Sequence, residues 1–319
     1  MCGGVRRVRL PCDNRLVSRA LKFGAVIVAL AAALWFYPPA RLTALVLIGR
    51  SPSCSWRQAL QSRGNAQRQI QIKDRILKEI REIQKDPAGF HLWQTPTTRY
   101  WMPAGSDFVL PYNLAEQERK IYGTGELAVR AGDVVLDCGA NVGVYVREAL
   151  DAGAKLVVAI EPAPENLECL RRNFTAELAA GRVVIYPKGV WDKDDWLVLN
   201  VDPTNSAADS FVMHPEGASG RLRLPLTTID KLVAELKLER VDYIKMDIEG
   251  AEQRALAGAR QTLAAYHPRL AISSYHRPDD PAKIPEIVHV GWAGYRTVCG
   301  VCTALENSTI RPDVLFFLP

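Results

Sequence analysis

Val134-Val135-Leu136-Asp137-Cys138-Gly139-Ala140-Asn141-Val142-Gly143 reads as a strand that runs into a helix through an acidic, glycine-containing turn. From Asp133 the apolar run is short, β-branched and continuous, as for a parallel strand buried on both faces, and Val142 to Leu150 then follow helical spacing. In an open α/β sheet a ligand sits beyond the carboxyl end of such a strand. Glycines let the main chain approach that ligand, and the unpaired N–H groups that open the helix favour electron-rich groups. A dinucleotide fingerprint, G-x-G-x-x-G, fits poorly, because Asn141 holds the second glycine position and Val144 the third. A carboxylate at Asp137 would repel a diphosphate; it suits a nucleotide-like cofactor that carries a cationic amino group and a sulfonium.

Eighteen residues after Gly143, the second apolar run, Leu156 to Ile160, ends in Glu161. An acid at that place accepts hydrogen bonds from both hydroxyls of a ribose. Three segments occur in order: Asp137 to Gly143; Ala159-Ile160-Glu161-Pro162 with Asn166; and Asp242-Tyr243-Ile244-Lys245-Met246-Asp247-Ile248-Glu249-Gly250-Ala251-Glu252. On these the chain resembles the FkbM family of S-adenosylmethionine-dependent methyltransferases, from about Glu118 to the C-terminus. The resemblance implies an α/β fold with a Rossmann-like, doubly wound, mostly parallel sheet of the class I methyltransferase type, and S-adenosylmethionine as cofactor. Asp137, Gly139, Asn141, Gly143, Glu161 and Asn166 are then the expected cofactor-binding residues. Trp191 joins them, because it follows Gly189-Val190 where this fold holds the adenine ring; core packing is its alternative reading. The family also often carries an acid in a helix just ahead of the cofactor turn, where Glu116 and Glu118 stand, against a solvated helix face as the plain reading.

With 319 residues, 48% hydrophobic and 24% charged, there is room for one α/β domain and an extension. Residues 1–50 hold seven Arg, one Lys and one Asp, a charge of +7, so the overall +5 leaves −2 for the rest. A nearly neutral catalytic region without a basic, aromatic-interleaved stripe gives no reason to expect nucleic acid. Seven scattered cysteines imply no complete disulfide framework. Cys299 and Cys302 have metal-knuckle spacing but no second such pair, and their strand-like setting favours a buried strand pair over zinc. Sequons at Asn173 and Asn307 matter only in a secretory compartment.

Three regions follow: 1–50, basic with a membrane segment at about 21–48; 51–112, an amphipathic helix and an irregular arm or short hairpin; and 113–319, the methyltransferase domain. Arg6, Arg7, Arg9, Arg15, Arg19 and Lys22 precede the apolar run Phe23 to Tyr37, which Pro38-Pro39 and Arg41 break before Leu42 to Ile48. Fifteen uninterrupted apolar residues fall short of the roughly 20 that span a bilayer. The segment is therefore expected as a single-pass signal anchor or as a monotopic one that turns back at the prolines, with the side of the catalytic domain open; a cleaved signal peptide fits less well. Ile72, Ile76, Ile80 and Ile83 recur at three and four residues as one helix stripe, docked on the domain or lying on the membrane.

Past a helix at Leu114 to Tyr122, alternation places strands at 133–138, 155–160, 182–187, 241–247 and 269–274, helices at 142–151, 163–178, 229–238 and 250–265, and closing strands near 295–301 and 313–318. Val190 to Asn200 and Arg221 to Thr227 read as extra strands whose loop, Asp202 to Ser210, can cover the ligand. Asp247 ends the fourth core strand beside the crevice of Asp137 and Glu161. Methyl transfer is an in-line displacement that needs alignment and one proton acceptor, so Asp247, Glu249 and His276 are the expected catalytic residues; the same donors would also suit Mg2+. Glu252 reads first as a helix-dipole residue, Lys245 as a partner of one of these acids, and Ser210 as a further site residue. His91, His214, His267 and His289 read as surface or hydrogen-bonded histidines. The expected function is O-methylation of a hydroxyl on a sugar, glycan or small metabolite. An NAD-dependent epimerase or dehydrogenase, and a membrane adaptor that binds cofactor without turnover, are the alternatives.

Overall fold

The computed structural model describes residues 14–51, 53–201, 205–207, 209–213, 220–304 and 309–319. Helix α1 (Asn14–Phe36) ends before Tyr37, and Pro38 and Pro39 open α2 (Pro38–Leu47), where a proline's missing N–H costs nothing. Among the described residues no helix is long and apolar enough to cross a membrane, so the expected membrane segment is not seen. The apolar run starts only behind Arg19 and Lys22 and is broken at Tyr37; beyond the break, Leu42 and Leu45 pack with Cys54, Ala59 and Cys302 of the catalytic unit. Arg6, Arg7 and Arg9 lie outside the described residues, as do His214 and Asn307.

Helix α3 (Trp56–Glu79) starts at a capping box, in which the Ser55 hydroxyl accepts from the Gln58 N–H and the Gln58 side chain accepts from Ser55 N–H at 2.9 Å. Its isoleucine stripe docks on the domain: Ile76 and Ile80 are buried against Ala115 and Leu114. Ile83 is not part of it, because the chain turns extended at Ile80 and Ile83 lies exposed in β1 (Arg81–Asp86). With β2 (Phe90–Gln94) and β3 (Arg99–Pro103) this strand forms an antiparallel sheet, so of the two forms expected for the arm the short hairpin, β2–β3, is the one present, with β1 added to it. Helix α4 (Val109–Glu118) begins five residues earlier than the sequence pattern suggests and ends before Lys120, whose φ of 53° is left-handed.

The central elements are β4 (Val134–Cys138), α5 (Val144–Asp151), β5 (Leu156–Ile160), α6 (Pro164–Asn173), α7 (Thr175–Ala179), β6 (Val183–Tyr186), β7 (Gly189–Val190), β8 (Asp195–Val201), β9 (Gly220–Thr227) and α8 (Ile229–Glu235). They continue with β10 (Tyr243–Met246), α9 (Glu252–Ala257), α10 (Arg260–Tyr266), β11 (Arg269–Ser273), α11 (Asp280–Gly291), β12 (Arg296–Cys299), β13 (Cys302–Ala304), β14 (Ile310–Pro312) and β15 (Val314–Leu318). Seven strands form the main sheet in the order β12-β15-β11-β10-β4-β5-β6, with β15 antiparallel to both neighbours and the rest parallel. Strands β7, β9 and β8 form a separate sheet. The two long helices expected at 163–178 and 250–265 are each divided, the first at the buried ring of Phe174 and the second at Gly258, where a Cβ would lie 2.1 Å from the Trp191 carbonyl oxygen.

Side chains alternate across the main sheet. Leu136, Val158, Ile244 and Ile272 face one core and Val135, Val157, Tyr243 and Ala271 the other. Beyond β4 the chain winds one way to β5 and β6, whereas β10 and β11 lie on the other side, so the topological switch falls between β4 and β10. Ligand crevices form at such a point. One covalent tie was not legible in the cysteine spacing: Cys54 is joined to Cys302, across 248 residues. Cys299 and Cys302 are thus no buried pair, and the free Cys299 thiol donates to the Ser53 carbonyl instead.

Candidate active site

Sheet register decides the floor of the site. Lys245 on β10 pairs with Asp137 on β4, so the two side chains stand on one face as neighbours. Their ammonium and carboxylate are 3.1 Å apart, both buried, and Lys245 also donates to the Gly139 carbonyl at 3.0 Å. Lys245 thus pairs, as expected, with one of the acids of the crevice, and that acid is Asp137. Burial pushes the Asp137 carboxyl up, opposed by the Lys245 charge, and neither carboxylate oxygen accepts an aligned hydrogen bond. Asp137 underlies the turn and does not line the cavity above it.

The turn itself depends on close approach. Gly139 has φ 81°, and a Cβ there would lie 1.9 Å from the Asp247 carbonyl oxygen; Gly143 has φ 94°, and a Cβ there would lie 2.1 Å from the Phe174 ring. Glu161 closes the other side. Its two oxygens accept the N–H groups of Asn141 and Ala163, each at 2.9 Å, which leaves further lone pairs toward the cavity. Burial pushes the Glu161 carboxyl up to about 7, against those backbone donors and the Asn166 amide. Asn141 and Asn166 both donate to the Ser206 carbonyl, at 3.1 and 3.2 Å, and Ser206 N–H donates to Ser106 Oγ at 3.0 Å. The 205–207 segment thus lies over the cofactor turn, while the carbonyl oxygens of the Asn141 and Asn166 side chains remain without hydrogen-bond partners. Trp191 does not line the cavity; the Arg254 guanidinium sits 5.7 Å from its ring centre, and Gly189 and Val190 form the wall instead.

Next to the turn the cavity lining is acidic. Asp247 accepts the Tyr122 hydroxyl at 2.7 Å and, more loosely, that of Tyr275 at 3.4 Å. Burial works to raise its pKa, but His276 and Lys245 outweigh that and hold it below the usual carboxylate range. His276 lies 3.4 Å from Asp247 Oδ1 and 3.5 Å from Glu249 Oε1 through Nε2, and its Nδ1 meets Glu252 Oε1 at 2.9 Å. Burial alone would lower its pKa; Glu252 and the other carboxylates push it well above the ordinary histidine value. Beyond its place at the start of α9, Glu252 accepts the Ile248 N–H at 2.9 Å and holds the imidazole. Ser210 donates from its hydroxyl to the Glu249 carbonyl at 2.7 Å.

The cavity, about 540 Å3, is lined by Gly139, Asn141 and Glu161, by Asp247 and Glu249, and by Gln69, Ile70 and Tyr112 of the N-terminal region. Glu116 lines it too, and burial, with the Asp247 charge added, raises its carboxyl to about 8. The Glu116 reading is thus of an acid turned to the site. Tyr122, Tyr275 and the α3 residues carried no spacing signal that would have selected them.

The "Methyltransferase FkbM domain" profile matches residues 137–296, half of the chain. The chain belongs to the FkbM methyltransferase family. It is an enzyme that methylates, and the family implies S-adenosylmethionine as the methyl donor, which sets aside the nicotinamide and adaptor readings. The FkbM-family chain is 28% identical over 175 residues to the 31-O-demethyl-FK506 methyltransferase FkbM of Streptomyces tacrolimicus, covering 44% of this chain and 67% of that protein. It is 24% identical to the hexuronic acid methyltransferase AglP of Haloferax volcanii, covering 49% of this chain and 61% of that one. Among solved structures it is similar to methyltransferase FkbM from Methylobacillus flagellatus KT, with a TM-score of 0.46 and 18% identity, covering 82% of this chain and 61% of that one.

Proposed function

We propose that this enzyme transfers the methyl group of S-adenosylmethionine to a hydroxyl oxygen of a sugar or sugar-like acceptor. The carrying observation is one continuous cavity lined both by a cofactor-type acid, Glu161, and by the acids Asp247 and Glu116. The residues fit the cofactor: Glu161 has free lone pairs for a ribose diol, Asn141, which lines the cavity, has an unpaired side-chain carbonyl oxygen, and the two glycines leave no room for side chains. S-adenosylmethionine supplies an electrophilic methyl on a sulfonium. Asp247, held by Tyr122, would orient the acceptor hydroxyl, and Glu116, raised to about 8 and so ionised chiefly above that pH, would take the hydroxyl proton while the oxygen displaces the thioether from the methyl carbon.

Asn113, Gln69 and Arg311 line the cavity beside the apolar Ile70, Phe108 and Tyr112 and can hydrogen-bond the hydroxyls of a sugar-like ligand. The activities named for the two relatives, an O-methylation and a hexuronic acid methylation, support the same class. Neutral sugars, uronic acids and polyketide alcohols are to be incubated with the protein and methyl-labelled S-adenosylmethionine. Label in a sugar or uronic acid is expected; label only in amines or in the protein's own side chains would sink the hydroxyl assignment.

A further inference from the structure

We propose that Asp247, Glu249 and His276 form a binding site for a divalent first-row cation, Mn2+ or Zn2+, with Glu252 fixing the histidine from behind. One carboxylate oxygen from each acid and a ring nitrogen of His276 all lie within 4.8 Å of one another. His276 Nε2 is the telling atom. Its side chain is 3% exposed, and Nε2 makes no hydrogen bond, although Asp247 Oδ1 and Glu249 Oε1 stand 3.4 and 3.5 Å away. These separations are long for hydrogen bonds, whereas an ion bound at about 2.0–2.2 Å places neighbouring ligand atoms about 3.0–3.5 Å apart.

The other side of the ring supports the same assignment. Nδ1 meets Glu252 Oε1 at 2.9 Å, and that oxygen is itself anchored by the Ile248 N–H. A carboxylate behind an imidazole fixes the tautomer that points a lone pair forward, the arrangement found behind metal-ligating histidines. Glu249 is delivered by strained backbone: its φ is 52°, left-handed for a non-glycine residue, with Gly250 following at 92° and the Ser210 hydroxyl on its carbonyl. Three carboxylates face the one imidazole, a donor set whose charge a bound dication would balance.

The imidazole decides the metal class. Carboxylates alone would suit the anticipated Mg2+, but a nitrogen ligand shifts preference toward Mn2+ and Zn2+. Asp247 and Glu249 also line the cavity, so the ion keeps a coordination position open to it. There it would hold the acceptor hydroxyl and ease its deprotonation; that role rests on the methyl-transfer reading, whereas the binding does not.

The test is calorimetric titration of chelator-stripped full-length protein with Mn2+, Zn2+ and Mg2+, with the electron paramagnetic resonance spectrum of bound Mn2+ as a second readout. S-adenosylmethionine is titrated separately into the same samples. One Mn2+ or Zn2+ per chain is expected, bound more tightly than Mg2+, at least 100-fold weaker in His276→Ala and Glu249→Gln, and about 10–100-fold weaker in Glu252→Gln. Retained S-adenosylmethionine affinity in the variants shows that they fold. No metal bound by the wild type, or equal affinity in wild type and His276→Ala, overturns the site whatever S-adenosylmethionine does. Metal binding at these residues without S-adenosylmethionine binding supports the site and defeats the methyl-transfer reading instead.

Discussion

At Glu161 two backbone N–H groups hold a carboxylate whose pKa burial has raised to about 7. Only its ionised form accepts from both ribose hydroxyls, so the raised pKa gives the sign: the proton competes with the cofactor as pH falls through about 7. S-adenosylmethionine affinity measured between pH 8 and 5.5 should fall by up to about tenfold per pH unit below that point. Glu161→Gln should bind about tenfold or more weakly and lose this dependence; an unchanged pH profile in the variant would remove Glu161 from the ribose site. At Glu116 the expectation concerns turnover. Glu116→Gln should lower kcat about 100-fold or more, with S-adenosylmethionine affinity unchanged, because in the proposed transfer this cavity-lining acid takes the acceptor's proton and does not hold the cofactor.

Elements hold these residues through contacts far apart in the chain. The Cys54–Cys302 disulfide ties the segment before α3 to β13, and the Gln58 and Asn65 side chains on α3 donate to the carbonyls of Gly300 and Cys302 at 3.1 and 3.0 Å. Cys54→Ser should cost about 2–5 kcal/mol in denaturant unfolding, as expected for a bridge that closes a long loop. An equal stability of the reduced and oxidised wild type would contradict that role. At the Asn173 sequon the side chain is fully engaged, accepting Trp101 N–H at 2.7 Å and donating to the Val142 carbonyl at 2.9 Å, so a glycan there is incompatible with the packing of α6 against β3.

Across the whole molecule, one cavity is walled by two regions of the chain. Turns of the methyltransferase sheet supply Gly139, Asn141 and Glu161 to its lining, and α3 and α4, packed side by side, supply Gln69, Ile70 and Glu116. Ile70 on α3 lines it and is 48% exposed, so a larger side chain should reach into acceptor space without disturbing a core. Ile70→Trp is expected to raise the acceptor KM at least several-fold with no change in S-adenosylmethionine affinity. A loss of both together would place α3 at the cofactor instead.

Much of this was legible from local pattern. Continuous β-branched runs ending in Asp137, Glu161 and Asp247 mark buried parallel strands, because a strand covered on both faces has no polar side to show. Glycine at 139 and 143 marks a turn that admits no Cβ. Those signals are local, and so the sheet, the cofactor crevice and the position of the acids follow from the sequence by itself. Tertiary structure decided the rest. Lys245 meets Asp137 through strand register, Glu252 reaches His276 across a loop, Cys54 finds Cys302 over 248 residues, and α3 closes the cavity. Each of these joins residues distant along the chain, and no periodicity within one segment records which distant segment it will meet.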